Sequence, residues 1–464
     1  MSAGLNESDV ENIAIDLFNE LGYDYLFGKD ILPDGTNPQR EHLAESFLPF
    51  ILKDSLRRLN PAIPPDGIDE AFRKVIRISH PAIITSNHEF HRLLTEGVDV
   101  TYKGKDRVVT DKVKLVDFDS PLSNQFHIVS QFTIIEAKNN RRPDLLVYVN
   151  GLPLGVIELK NPSDDSTTVW SAYSQLQTYK DQIPSLFTFN EVLVVSDGTT
   201  ARIGSLSADK ERFQVWRTIE GEELAPSTMT EMEVMIRGVF EKKRFLDLVR
   251  YFTVFERESN GSWIKKIAGY HQYHAVNSAI RQTIQASKPS GDRRIGVVWH
   301  TQGSGKSLTM TFFAGRAILE HQMQNPTVVI ITDRQDLDNQ LFDTFSNCNE
   351  LLRQVPVQAK DRNQLQQLLS VASGGVVFTT VQKFFPEEKF DDYPMLSDRR
   401  NIIVLADEAH RSQYDFIDGF ARHMRDGLPN ASFIGFTGTP IELSDKNTRA
   451  VFGEYISVYD IQRA

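Results

Sequence analysis

The sequence predicts an α/β chain in two units: a mixed-sheet domain over residues 1–255, then a doubly wound, parallel-sheet domain over residues 256–464. Three observations lead there. At 464 residues the chain exceeds what one hydrophobic core ordinarily spans, so more than one domain is expected. In the second part, near-continuous apolar runs alternate with helix-patterned stretches, as in a parallel sheet covered on both faces. In the first part, β-rich runs flank Asn150-Gly151, the strongest short hairpin signal.

Composition narrows the class. Hydrophobic residues make up 40% and charged residues 24%, an ordinary globular balance. The single cysteine, Cys348, excludes a disulfide framework or a cysteine-rich metal site. The N-terminus carries no basic, apolar leader pattern and no apolar run reaches membrane-spanning length, so a protein of the reducing cytoplasm with no membrane association is expected. Net charge is −11, almost all of it in residues 1–250, so any nucleic-acid contact must use local basic patches. Arg141–Arg142, Lys242–Arg244 and Lys265–Lys266 are candidates, and a solvated surface run is the commoner explanation of each.

The first unit opens with an amphipathic helix over Val10–Leu21, with Glu7, Glu11 and Asp16 on its solvent face. A second helix is expected over Arg40–Leu59, stopped by Asn60-Pro61, and a third over Ile68–Ile78 after the loop signal Pro64-Pro65. Asp99–Tyr102, Val113–Asp117 and Phe126–Ile135 read as strands of the mixed sheet. Glu191–Gly198 and Ala201–Gly204 read as a hairpin closing it. One helix from Met232 to Val249 then leads toward a seam where Glu256-Arg-Glu-Ser-Asn-Gly-Ser interrupts the periodicity.

The chemistry of this unit centres on the Asn150-Gly151 hairpin. Asp144 opens its first strand, and Glu158 and Lys160, two apart, leave its second strand on one face. Folding the hairpin brings Asp144 beside them, which makes a Mg²⁺ site with Asp144 and Glu158 as hard oxygen ligands. Lys160 is placed to orient a nucleophile or stabilise charge on phosphorus. Gln175 and Tyr179, four apart on the next helix, project from one face toward the same place. A surface hairpin and a polar helix face are the plainer alternatives.

The second unit is organised around Gly296-Val-Val-Trp-His300-Thr301-Gln-Gly303-Ser304-Gly305-Lys306-Ser307, a strand, a glycine-rich turn and then a helix over Leu308–Leu319. Gly303 and Gly305 let the backbone aim N–H groups at phosphate oxygens. Lys306 would neutralise the β/γ-phosphates of ATP, and Ser307 would hold Mg²⁺. His300 stands where the usual spacing has glycine. The run Asn401–Asp407 ends in Asp407-Glu408-Ala-His410, where Asp407 would hold Mg²⁺ and Glu408 polarise the attacking water. Gln272, in a helix beginning at Ile267, is suited to reading adenine, though a packing role fits it as well. Thr437-Gly-Thr439 ends a further strand on the nucleotide side.

Pro143-Asp144 with Glu158-Leu-Lys160 resembles the PD-(D/E)xK nuclease core, and Gln175-x-x-x-Tyr179 resembles the helical element of its RecB-like branch. The second-half motifs, in their order, resemble the first RecA-like domain of superfamily 2 helicases and translocases. By that resemblance Gln272 matches the adenine-reading glutamine, Thr301–Ser307 the Walker A loop, Asp407–His410 the Walker B box, and Thr437–Thr439 the segment coupling hydrolysis to movement. With Asn150–Asn161 and His410-Arg-Ser added, the whole chain resembles the R subunit of type I restriction enzymes. This implies ATP-driven translocation of double-stranded DNA ending in Mg²⁺-dependent double-strand cleavage, in a complex with methyltransferase and specificity subunits. It also implies a second RecA-like domain beyond residue 464, so the chain is expected to be an N-terminal fragment that hydrolyses ATP poorly alone. The alternative is a superfamily 2 remodeller or translocase with a degenerate nuclease fold used only for binding, and metal-dependent nicking separates the two.

Overall fold

A computed structural model describes residues 6–104, 107–161, 168–258, 260–332, 335–384, 395–409, 420–439 and 446–460. The chain divides into two compact units, Met1–Gly269 and Tyr270–Ala464.

The first unit runs α1 (Glu7–Glu20), β1 (Asp24–Phe27), α2 (Pro49–Leu59), α3 (Pro65–Ile76), α4 (Ile83–Glu96), β2 (Val98–Lys103), β3 (Val108–Val113) and β4 (Phe126–Ser130). It continues with β5 (Ile134–Glu136), β6 (Asn139–Arg141), β7 (Leu145–Val149), β8 (Leu152–Leu159), α5 (Val169–Gln182), α6 (Pro184–Thr188), β9 (Val192–Ser196) and β10 (Ala201–Gly204). It closes with α7 (Glu231–Val239), α8 (Lys242–Tyr251), β11 (Thr253–Arg257) and β12 (Trp263–Ile267). Six strands form the expected mixed sheet in the order β1-β4-β7-β8-β9-β10. β1 lies parallel to β4 and β8 to β9, and the remaining neighbours are antiparallel. Asn150 and Gly151 make the β7–β8 turn with φ of 52° and 83°, the left-handed pair that a tight hairpin demands. Strands β4, β7, β8 and β9 are buried along their length, and their core continues into Ala172, Leu176 and Ile183 at and just beyond α5.

Several local expectations are corrected. The second helix starts at Pro49, not Arg40, because proline is favoured in a first turn and holds the preceding Leu48 extended at φ −105° and ψ 93°. Arg40 instead is buried, its guanidinium 3.9 Å from the Phe132 ring centroid and donating to the Glu45 and Thr133 carbonyls. Similarly α3 begins at Pro65. β2 and β3 pair only with each other, as do β5 and β6, so neither pair joins the main sheet. The helix expected over 232–249 is two, because the Glu241 carboxylate accepts the Lys243 and Arg244 N–H groups and starts a new helix there.

The seam expected at residue 255 falls inside β11, which pairs with β12. β12 packs on α4, and its Lys265 is fully buried against Glu191 at 2.7 Å. The Lys265 ammonium also donates to the Asn190 carbonyl at 2.7 Å, while His91 sits 3.0 Å from the same Glu191 oxygen. This hairpin therefore belongs to the first unit, and Lys265 is no surface patch. Lys242, Lys243 and Arg244 likewise spend their charge on Gly22 O, Asp247, and Arg237 O with Gly238 O.

The second unit runs α9 (Tyr270–Ser287), β13 (Arg294–His300), α10 (Lys306–Leu319), β14 (Thr327–Thr332), α11 (Gln335–Asn347), α12 (Asn349–Leu352) and β15 (Val357–Gln358). Then follow α13 (Arg362–Leu369), β16 (Val376–Thr380), β17 (Ile402–Asp407), α14 (Phe420–Gly427), β18 (Ser432–Thr437), α15 (Lys446–Phe452) and β19 (Tyr455–Tyr459). Its seven strands, ordered β15-β16-β14-β17-β18-β13-β19, are all parallel. Val329, Val377 and Val404 face a cluster that includes Leu365, Met424 and Val451 from α13, α14 and α15. Phe378, next to Val377, meets Phe342 and Phe345 of α11 on the opposite face. Helices thus cover both faces, the doubly wound arrangement expected. The strands' C-terminal ends carry Lys306's loop and Asp407, where ligands of such sheets bind.

Two candidate active sites

In the first unit, Leu145 pairs with Ile157, which brings Asp144 level with Glu158 across the hairpin. Oδ2 of Asp144 accepts the Leu159 N–H at 2.8 Å. Lys160, just past β8, donates from Nζ to Glu158 Oε1 at 3.2 Å and to the Leu159 carbonyl at 2.8 Å. Glu158 is completely buried, and among the described residues its Oε2 has no hydrogen-bond partner. Burial pushes the Asp144 carboxyl from 3.8 up to about 6, against the opposing pull of the Leu159 N–H and the Lys160 charge. Burial, with the Asp144 charge added, raises Glu158 well above the ordinary carboxylate range.

Two neighbouring buried acids and one orphaned oxygen are the situation a hard divalent cation relieves. Asp144 and Glu158 are the side chains that would hold it. Among the described residues no group of three or more His, Cys, Asp or Glu side chains forms a metal cage.

α5 delivers both of its expected residues. The Tyr179 hydroxyl lies 3.5 Å from Glu158 Oε1 and accepts a hydrogen bond from Gln175 Nε2 at 2.5 Å. Burial first, and the Glu158 charge second, raise the Tyr179 phenol, which keeps it a neutral donor. α1 departs from expectation at one residue. Asn6 caps it through a reciprocal bond with Asp9, Glu7 and Asp16 are exposed as expected, and Glu11 is drawn in. Glu7 reaches 3.9 Å from Lys160 Nζ. Glu11 is half-buried and raised, chiefly by desolvation, while accepting from Gln131 Nε2 at 2.6 Å.

In the second unit the loop between β13 and α10 takes the backbone its glycines allow, with Gly303 and Gly305 both at φ 84°. Thr301 N–H donates to the Tyr459 carbonyl at 3.0 Å, and Ser304 Oγ donates to the Thr301 carbonyl at 2.6 Å. Ser307 lies in the first turn of α10, behind the left-handed Gly305 cap. Lys306 Nζ sits 2.9 Å from Asp407 Oδ1 and also pairs with Glu408. Glu408 itself has φ 53°, a strained value for a non-glycine residue, at the end of β17. Buried Gln272 donates to the Gly305 carbonyl and the Thr309 hydroxyl, each at 3.2 Å, so it is turned onto the phosphate loop itself. Thr437 Oγ1 donates to the Thr439 carbonyl at 2.9 Å. His410 lies outside the described residues.

His300 resolves the departure from the usual glycine spacing. It is the last residue of β13, does not have the positive φ that requires glycine, and is fully buried. Its ring packs against those of His271 and Tyr459, at 5.4 and 5.7 Å between centroids. His271 stacks on Tyr459 at 4.0 Å and donates to the Ser304 carbonyl at 3.1 Å. Burial pushes His271 down to about 4; burial, helped by His271, pushes His300 down to about 3, so both are neutral supports beneath the loop. Sequence reasoning missed His271, Tyr459, Glu7 and Glu11. The four-residue spacing of Glu7 and Glu11 marked a shared helix face, and only the tertiary fold distinguishes that face from solvent.

Residues 4–212 match the family described as type I restriction enzyme R protein N terminus, and residues 271–464 match the SWI2/SNF2 ATPase family. The chain is 45% identical to the type I restriction enzyme HindI endonuclease subunit of Haemophilus influenzae, over 99% of this chain and 45% of that protein. It is 35% identical to the MjaIXP endonuclease subunit of Methanocaldococcus jannaschii, over 100% of this chain and 45% of the relative. With the SsaAORF53P endonuclease subunit of Staphylococcus saprophyticus the identity is 27%, over 85% and 42%. The chain thus spans less than half the length of these relatives.

Proposed function

We propose, from the premise that this chain is homologous to the endonuclease subunits of type I restriction enzymes, that it performs restriction and powers movement in such an enzyme. ATP-dependent translocation of double-stranded DNA by the second unit would be coupled to Mg²⁺-dependent double-strand cleavage by the first. The partners are DNA and the modification and specificity subunits, and the setting is the cytoplasm. One observation carries the nuclease half: Asp144, Glu158, Lys160 and Tyr179 meet in one buried cluster at the end of β8.

In that cluster Asp144 and Glu158 would hold the cation, and Mg²⁺ when bound would supply charge neutralisation at phosphorus and an acidified water. Lys160, 3.2 Å from Glu158, orients the nucleophile and meets the charge that develops on the phosphoryl oxygens. Tyr179, held by Gln175, fixes the Glu158 carboxylate from the helix side. In the second unit the loop amides, the N-terminus of α10 and Lys306 would hold the phosphates, Ser307 and Asp407 would hold the metal, and Glu408 would polarise the attacking water.

The test uses the assembled enzyme. Asp144→Ala or Lys160→Ala is expected to abolish cutting and leave ATP-driven movement intact, whereas Lys306→Ala stops movement and, with it, cleavage at distant sites. Cutting that survives Asp144→Ala refutes the nuclease assignment. Cleavage at distant sites that persists in Lys306→Ala refutes the coupling.

A further inference from the structure

Two consecutive arginines stand immediately before the cluster, and nothing in the chemistry above uses them. Arg141 ends β6, and Arg142 links it through Pro143 to Asp144. The hairpin that carries them is firmly mounted. Asn139 Nδ2 donates to the Gln182 carbonyl at 3.2 Å, Glu136 accepts the Ser185 N–H at 3.1 Å, and Ile135 N–H donates to the Leu43 carbonyl at 3.0 Å.

Successive residues of an extended chain point to opposite sides, and a residue before proline is held extended. Arg141 turns toward α5, where its Nε donates to Gln182 Oε1 and its charge reaches Tyr179. Arg142 is exposed, and its charge is felt at Glu11 of α1. Arg141 thus stands by Tyr179 on the α5 side of the Asp144–Glu158 cluster, and the exposed Arg142 lies near enough to α1 for its charge to act on Glu11. Among the described residues neither Arg142 nor the terminal amino groups of Arg141 make a hydrogen bond, so both present forks suited to bidentate phosphate binding.

The electrostatics require some such device. The chain carries −11 overall, and Glu7 and Glu11 add their charges to the two cluster carboxylates. A polyanion approaching that centre meets repulsion unless cations stand beside it. We propose that Arg141 and Arg142 grip backbone phosphates on either side of the scissile one, and so set which phosphodiester of a DNA strand lies over Asp144 and Glu158. The inference rests on the nuclease reading of the first unit. The arginines act by positioning DNA and touch no reacting atom.

The experiment measures equilibrium binding of a short labelled DNA duplex to this chain, without nucleotide, across a salt series. Each of Arg141→Ala and Arg142→Ala should lower the slope of log affinity against log salt by about 0.9. The wild-type advantage over each should then shrink about three- to fourfold between about 50 and 200 mM salt. Arg142→Lys should restore the slope, which a merely structural role would not require. Gln182→Ala removes the brace on Arg141 and keeps its charge, so its slope should stay that of wild type. An unchanged slope in Arg142→Ala, or absent duplex binding by wild type, overturns the proposal. A Gln182→Ala slope equal to that of Arg141→Ala reduces Arg141 to a brace and overturns its half. The parent reading fails separately, through continued cleavage by Asp144→Ala in the assembled enzyme.

Discussion

Replacing Asp144 with asparagine should make the metal-free first unit more stable while removing its chemistry. Burial lifts the Asp144 carboxyl from 3.8 to about 6, so keeping it ionised in the folded unit at pH 7 costs about 3 kcal/mol. Asparagine keeps an oxygen for the Leu159 N–H, at 2.8 Å in the wild type, and adds an amide group whose incomplete bonding costs about 1 kcal/mol. The balance is about 2 kcal/mol in favour of Asp144→Asn. For a unit of this size that is an upward shift of about 4–8 °C in its unfolding midpoint.

Loss of the Asp144 charge also lowers the strain on Glu158, which acts in the same direction. The pH dependence has a fixed sign. A carboxyl whose folded value lies above its unfolded value is penalised fully above about 6 and not at all below 3.8. Wild type should therefore gain on Asp144→Asn as pH falls from 7 toward 4. Calorimetry of the first unit's transition in chelator, at both pH values, then with Mg²⁺, provides the measurement. Mg²⁺ should raise the wild-type midpoint and leave that of Asp144→Asn in place. A variant that is less stable than wild type at pH 7 without metal, or an advantage that does not shrink with acid, would refute the reasoning.

The remaining predictions address other parts of the chain. Lys265→Met leaves the fully buried Glu191 charge with His91 alone and should destabilise the first unit by about 3–5 kcal/mol in urea titration, with most of the loss recovered by adding Glu191→Leu. Lys306→Ala removes the cation between Asp407 and Glu408, and calorimetric titration should find Mg-ATP bound about ten- to a hundredfold more weakly. His300→Gly restores the usual loop pattern, yet it empties a fully buried ring position. It should destabilise the second unit by about 3 kcal/mol and weaken nucleotide binding rather than improve it. Metal-dependent cutting by the assembled enzyme should rise as pH passes upward through about 6, where protons stop competing for Asp144, and a flat profile there would contradict the assignment.

What the sequence revealed and what it concealed follow from the range of the interactions concerned. Asn150-Gly151 fixed a left-handed turn locally, and the two-residue period of β8 then fixed where Glu158 and Lys160 point, so the cluster was legible before any coordinates. The phosphate loop was legible for the same reason, since Gly303 and Gly305 encode its backbone directly. Lys265 was not legible. Next to Lys266 it reads as a basic patch, and only its burial by α4 and β9 converts it into an internal counter-ion. The nearness of Glu7 and Glu11 to the cluster was hidden likewise, because a polar helix face looks alike whether it meets water alone or a neighbouring group of charges. The break at Glu241 was missed because a carboxylate capping its own chain neighbours competes silently with continuous helical periodicity.

The pairing of Lys306 with Asp407 and Glu408 bears on which ligands the loop admits. A bare anion entering there would draw the lysine away and leave two carboxylates facing each other uncompensated. A nucleotide that arrives together with its divalent ion replaces both halves of the arrangement at once, an anion for the lysine and a cation for the acids. On the proposed nucleotide-binding role, the resting contacts would act as a filter favouring the complete metal–nucleotide complex over free phosphate.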